Sequence, residues 1–140
     1  MGLLDGKILL IADTFEHIRG QDIKVFFHLN SVRVTARGST VITEDPEANA
    51  AISPALISGE IGVEVLDGRI SDVFYHDYPS KRAVYTRRGE RDTETLVFAV
   101  LPSAPGERRS LRQLSFDGRV IGLDVDGEKY RIAFENGIFR

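Results

Sequence analysis

Three histidines, an aromatic and basic middle segment, and the absence of cysteine are the chemically informative features of this sequence. His28 closes a strand-like run, His76 stands beside Asp77 in an aromatic stretch, and His17 lies in a polar loop with Glu16 and Asp22 nearby. An imidazole serves as metal ligand, proton carrier or plain hydrogen-bonded strand residue, and its type alone does not choose among these. His17 reads as a surface residue. Tyr75, Tyr78 and Arg82 form a second candidate group. Aromatic faces suit sugar rings and guanidinium groups suit carboxylates, although the same residues also serve to cover a core edge. Around them lies a basic cluster, Lys81, Arg82, Arg87, Arg88 and Arg91, which reads either as a solvated strand pair or as a contact surface for an acidic glycan or partner domain. Other chemistry has no support. The glycines are scattered at turns and build no phosphate loop, and no Gly-x-Ser-x-Gly nucleophile elbow occurs. Asp124, Asp126, Gly127 and Glu128 loosely resemble a calcium loop, but Asp126-Gly127 is explained as a hairpin turn.

These side chains need a scaffold, and the bulk composition says what kind. A chain of 140 residues is one domain in size, taken here as residues 1–140. It can bury roughly two-thirds of the surface it exposes when unfolded, so no disulfide or metal staple is required. At 42% hydrophobic and 28% charged it has the composition of a folded globular protein. Its net charge is −3, with acids and bases interspersed and no basic stripe, which argues against a nucleic-acid partner. Without cysteine, disulfides and thiolate metal sites are excluded, and the compartment is left open. The apolar run at residues 7–12 is too short for a signal-peptide core or a membrane span, so no membrane partner is expected. Met1-Gly2 could open a myristoylation motif, but the favoured Ser or Thr is missing at Asp5-Gly6.

Strand and turn signals dominate. Lys7-Ile8-Leu9-Leu10-Ile11-Ala12 reads as a strand buried on both faces. In residues 22–29, Ile23, Val25, Phe27 and Leu29 share one face, and Asp22, Lys24, Phe26 and His28 the other. Arg37-Gly38-Ser39 is a hairpin turn between strands at 32–36 and 40–43. Residues 44–58 are irregular, with room for a helical turn that Pro54 would end. A strand at 60–65 is expected to stop at Asp67-Gly68, and an aromatic segment at 73–79 to end at Pro79. Strands at 82–86 and 93–101 follow, the second strongly apolar. The tail, 111–116, 119–125 and 128–134, is a meander whose Asp117-Gly118 and Asp126-Gly127 suit type I′ turns. About ten short strands and no amphipathic helix imply an all-β fold, a two-sheet antiparallel β-sandwich.

The order of these strands carries a resemblance. An apolar strand ending in Asp13 and followed by Phe15-Glu16 precedes a second strand ending in His28-Leu29. A hairpin follows, then a Pro/Asn segment, then the Ser- and Tyr-containing stretch 71–78, then the apolar strand 93–101 leading into Pro102. Over most of residues 6–102 this resembles the C-terminal β-sandwich domain of heparinase II/III-like polysaccharide lyases.

The resemblance implies an enzyme that cleaves acidic polysaccharide by β-elimination. An N-terminal α-helical toroid would supply most catalytic groups, with the β domain packed against it to complete the substrate cleft. It also implies a periplasmic or extracellular setting, though this sequence shows no signal peptide. In several members two histidines and an aspartate of the β domain hold a structural zinc ion. The matching residues here are His28, Asp45 and His76, with Asp77 as a substitute for Asp45. Two imidazoles and a carboxylate are a reasonable zinc set, leaving a fourth position for water. The alternative is that His28 is an ordinary strand residue and His76 a loop residue. Some members place a catalytic histidine two positions before the metal-binding one. This sequence has Phe26 there, so no catalytic residue is assigned. Three readings follow. The first is a non-catalytic lyase domain that docks on a helical toroid and self-associates weakly through an exposed apolar patch. The second is a stand-alone carbohydrate-binding module using Tyr75, Tyr78 and Arg82. The third is a small metal-dependent β-sandwich enzyme.

Overall fold

β-Branched and aromatic residues recur with period two through most of the chain, which favours strands wherever glycine, proline or aspartate does not interrupt. The computed structural model describes residues 2–4, 7–56, 58–73, 76–135 and 138–139, the side chains of 2–4, 72, 73 and 138 excepted. Among the described residues there are thirteen strands and no helix, so none is long and apolar enough to cross a membrane.

A six-stranded sheet is ordered β1 (Gly2–Leu4), β2 (Ile8–Glu16), β9 (Thr93–Ser103), β6 (Asn49–Leu56), β5 (Thr40–Thr43) and β4 (Val34–Arg37). A three-stranded sheet is ordered β3 (Asp22–Leu29), β8 (His76–Arg88) and β7 (Gly62–Val73). A four-stranded sheet is ordered β10 (Leu111–Phe116), β11 (Val120–Val125), β12 (Glu128–Glu135) and β13 (Ile138–Phe139). All pairings are antiparallel. The all-β sandwich is as expected, but it has three sheets where two were anticipated.

The reason lies in β9. Val97, Ala99 and Leu101 point into a core shared with Ile8 and Leu10 of β2, Ile121 and Leu123 of β11, and Ile132 of β12. Leu96 and Phe98 point the other way, into a core shared with Ile23 and Val25 of β3 and Ala83 and Tyr85 of β8. Successive residues of a strand face opposite sides, so the six-stranded sheet is the middle layer and carries a core on each face. β2 departs from its reading. Ile8 and Leu10 are fully buried, whereas Leu9 and Ile11 on the other face are only half-buried.

In the second core Phe27, Tyr85 and Phe98 meet edge to face or tilted, with ring centroids 4.8–5.8 Å apart. The Tyr85 hydroxyl donates to the Ile52 carbonyl at 2.9 Å, and burial raises its pKa, so it stays a neutral donor.

Several local readings change. The segment expected to hold a helical turn is β6, and Pro54 sits within it beside a register shift, where a missing N–H is tolerated. Asp67-Gly68 is not a turn: β7 runs through it, pairing Asp67 with Lys81 and Gly68 with Ser80. Pro79 likewise lies inside β8, opposite Arg69. Beyond Lys81, β8 loses β3 and pairs with β7 alone, so residues 68–73 and 76–80 extend past the sheet as a two-stranded ribbon. Asp126 and Gly127 have φ of 54° and 88°, as a type I′ turn demands. Asp117-Gly118 belongs instead to a longer turn, in which the Asp117 carboxylate accepts from the Arg119 and Val120 amides.

One charged pair is enclosed between the middle and three-stranded layers. Arg87 Nε donates to Glu94 Oε2 at 2.8 Å, and the two side chains are 1% and 3% exposed. Arg87 also donates to the Glu60 carbonyl and the Ser58 hydroxyl. Glu94 Oε1 accepts from the Glu90 and Arg91 amides at 2.6 and 3.0 Å. Burial pushes the Glu94 pKa up, but Arg87 and these two amides outweigh it, and the net shift is downward. Arg87→Ala, which strands a buried carboxylate, is expected to cost about 3–5 kcal/mol in denaturant melts. Because the folded pKa of Glu94 lies below the unfolded one, its contribution is complete above the unfolded value of about 4.3 and fades as pH falls through the folded value. The melting temperature of the wild type should therefore fall more steeply on acidification below about pH 4 than that of Glu94→Gln. Parallel curves would show that the pair does not titrate with unfolding.

Candidate functional site: the outer face of the three-stranded sheet

The inner face of this sheet is committed to the core, so its outer face is what remains for recognition. Register fixes what shares that face. Phe26 lies opposite Val84, and Val84 opposite Glu64. His28 lies opposite Arg82, and Arg82 opposite Leu66. Further along the hairpin, Ser80 faces Gly68, and Tyr78 faces Ile70. Phe26, Leu66 and Tyr78 are 48%, 39% and 38% exposed, three apolar side chains spread over this face with Arg82 and Ser80 between them. Val32, also exposed, flanks them and lines a shallow groove with Asp67, Arg69, Ser80 and Arg82. The groove measures about 590 Å³.

The electrostatics are uneven. On the opposite side of the hairpin Lys81 pairs with Asp67, and Arg69 with Asp77, and in each pair the arginine or lysine holds the carboxyl below its ordinary pKa. Among the described residues no carboxylate lies within ion-pair distance of Arg82. Its Nε is buried without a hydrogen-bond partner, as is the Ser80 hydroxyl two residues away on the same face. Buried donors and hydroxyls are ordinarily matched, so these two groups are open to an acceptor brought from outside the described residues.

Of the residues anticipated from sequence, His28, Arg82 and Tyr78 fall on this one face, and Tyr75 lies outside the described residues. His76 is exposed at the start of β8, its ring 4.8 Å from that of Tyr78. Asp45 is elsewhere, in the loop between β5 and β6 of the middle sheet. There its amide donates to Asn49 Oδ1 and its carbonyl accepts from Asn49 Nδ2. Asp77, the substitute, is engaged by Arg69. The fold therefore does not bring His28, Asp45 and His76 together. His76 is six residues along β8 from the partner of His28, roughly 20 Å at strand spacing. Among the described residues no three of His, Asp and Glu are grouped to hold a metal ion. His17 is exposed, 3.7 Å from Asp92. Phe26, Leu66 and Ser80 were not picked out beforehand as site residues. Phe26 carried a usable signal, an aromatic ring on the polar face of its strand between Lys24 and His28. Leu66 and Ser80 carried none, because only the register of the long hairpin puts them beside Arg82.

The fold has solved counterparts. A heparan sulfate lyase HepC mutant from Pedobacter heparinus superposes with a TM-score of 0.81 at 15% identity, over 94% of this chain and 22% of that one. HepC from Pedobacter heparinus gives 0.77 at 16% identity, with the same coverage of 94% and 22%. The BT4657 gene product, a heparinase III, gives 0.76 at 11% identity over 95% of this chain and 22% of that one. This chain thus has the fold of a β domain found within heparinase-type lyases, and it spans about a fifth of their length. Neither a protein-family model nor a curated protein sequence matches it.

Metal analysis of the purified chain is expected to give the same zinc content for the wild type and for His28→Ala. About one zinc per chain, lost on that substitution, would mean that the ligands are brought together by a rearrangement of the strands.

Proposed function

We propose that this chain is the β-sandwich domain of a heparinase II/III-like polysaccharide lyase. It docks through the outer face of its three-stranded sheet on an α-helical toroid and completes one wall of a cleft for acidic glycan. The observation that carries this reading is the exposed apolar side chains Phe26, Leu66 and Tyr78 around an Arg82 that has no ionic partner among the described residues. Exposed apolar side chains on a sheet whose other face is already buried are the mark of a surface that meets another protein surface. Arg82 and His28 at its centre suit a carboxylate at the edge of the contact. The similarity in fold to part of HepC and heparinase III supports the choice of partner. The domain contributes shape and charge in this role, and the reacting groups come from the toroid. The chain by itself is therefore expected to release no unsaturated uronate from heparan sulfate or alginate.

The test is co-expression with the helical domain of a heparinase III, followed by co-purification. Retention of the wild type, and loss of retention with Phe26→Ser and Leu66→Ser, is the expected result. Since both side chains are exposed, the two variants should keep the wild-type melting temperature within about 1 °C. No retention of the wild type would overturn the docking reading. A second reading, a carbohydrate-binding module, draws on the exposed ring of Tyr78 beside Arg82. It predicts salt-sensitive binding of uronate polymers that Tyr78→Ala and Arg82→Ala weaken, with or without a toroid.

A further inference from the structure

A second recess lies away from that face. It opens, at about 970 Å³, between the six-stranded and four-stranded sheets, in the size range of small-molecule sites. How it arises is visible in two strands. The row Leu10, Ala12 of β2 and the row Leu101, Ala99, Val97 of β9 face the first core. Continued in the same parity, these rows become Thr14 on β2 and Thr95 and Thr93 on β9, where the four-stranded sheet no longer covers them. Threonine has the shape of valine with a hydroxyl in place of a methyl. Three of them in succession therefore keep the strand geometry while turning an apolar wall into a hydrogen-bonding one. Thr14 and Thr95 are directly paired, with hydroxyl oxygens 2.9 Å apart.

The opposite wall is of another kind. Gln113 and Phe116 of β10 and Arg119 of the following turn line it, with Phe116 42% exposed. Arg91 stands at the rim. Of the two carboxylates at the cleft, Glu94 is neutralised by Arg87, and Glu135 is left against two guanidinium groups. Hydroxyls and an amide on one side of an aromatic ring, with an excess of guanidinium, match a ligand that has an apolar ring face, many hydroxyls and a negative charge. We propose that this cleft is a binding site for an acidic sugar. The pyranose ring lies against Phe116, its carboxylate meets Arg119 and Arg91, and its hydroxyls meet Thr14, Thr95 and Gln113. The site is separate from the docking face and shares no lining residue with the groove there.

The test uses the whole chain and three probes, D-glucuronate, tetragalacturonate and the neutral maltotetraose, titrated by calorimetry and by amide chemical shifts. The acidic probes are expected to bind roughly tenfold or more tightly than the neutral one, and to weaken by a similar factor in Arg119→Ala. Phe116→Ala should weaken binding several-fold. Thr95→Val preserves shape and tests the hydroxyl alone, so it reads the site even if the Phe116 variant folds poorly. Shifts confined to β10, β9, the end of β2 around Thr14, Arg91 and the 117–119 turn support the proposal. Absence of binding at millimolar probe, or binding indifferent to Arg119→Ala and Thr95→Val, overturns it. Binding lost instead in Arg82→Ala would overturn it too, and would place sugar recognition on the outer face. Docking that fails while the cleft still binds, or the converse, separates this proposal from the previous one.

Discussion

The middle of strand β9, from Leu96 to Ala99, has no solvent side, and the layering follows from that. A strand with consecutive buried residues from Leu96 to Ala99 needs cover on both faces, and a single partner sheet covers one. The chain supplies two covers from separate stretches. β3, β7 and β8 shield the Leu96 and Phe98 side, and the C-terminal meander shields the Val97 and Ala99 side. Burying both faces of the middle sheet lets 140 residues hold two cores instead of one. It also leaves the outer faces of both covering sheets as the surfaces available for contact with other molecules.

The layers do not rest on hydrophobic contact alone. Arg87 and Glu94 join β8 to β9, and their further partners at Ser58, Glu60, Glu90 and Arg91 tie two loops to one buried point. Such a pair adds little net free energy over an apolar substitute, since desolvation offsets much of the attraction. What it adds is directional. Apolar layers can slide, whereas a guanidinium held by several acceptors fits in one position. The loop beside it is similarly constrained at Gly89, where a side-chain carbon would fall 2.3 Å from the Ile18 carbonyl oxygen.

Alternation, turn residues and the apolar run at β9 made the strand content legible in the sequence. The third layer was not legible, because a run such as 93–101 says that both faces are covered without saying by what. Pro54 and Gly68 misled for a common reason. Each is a breaker by type, and each is accommodated by a tertiary detail, a register shift in one case and the close approach of Ser80 in the other. For the site, His28, Tyr78 and Arg82 were legible as residue types, but their neighbours were not. Asp45 and His76 were joined to His28 by a resemblance to a family's zinc ligands, and matching residue types does not set distance across sheets.

The β7–β8 hairpin outruns its sheet, and this has a mechanical meaning. Its root, opposite β3, is anchored by a core on one side and a neighbouring strand on the other. Its outer part, from Gly68 to Val73 and His76 to Ser80, has no third paired strand among the described residues, and an Arg69–Asp77 pair, a His76–Tyr78 ring contact and a bond from the Ser71 hydroxyl to the His76 carbonyl help to hold it. A paired ribbon without a third strand twists freely and opens at low cost. The hairpin therefore behaves as a lever with a clamped base and a compliant end. It carries Tyr78 and Ile70 beyond the end of β3, so the length of one hairpin sets how far this face reaches past its own core.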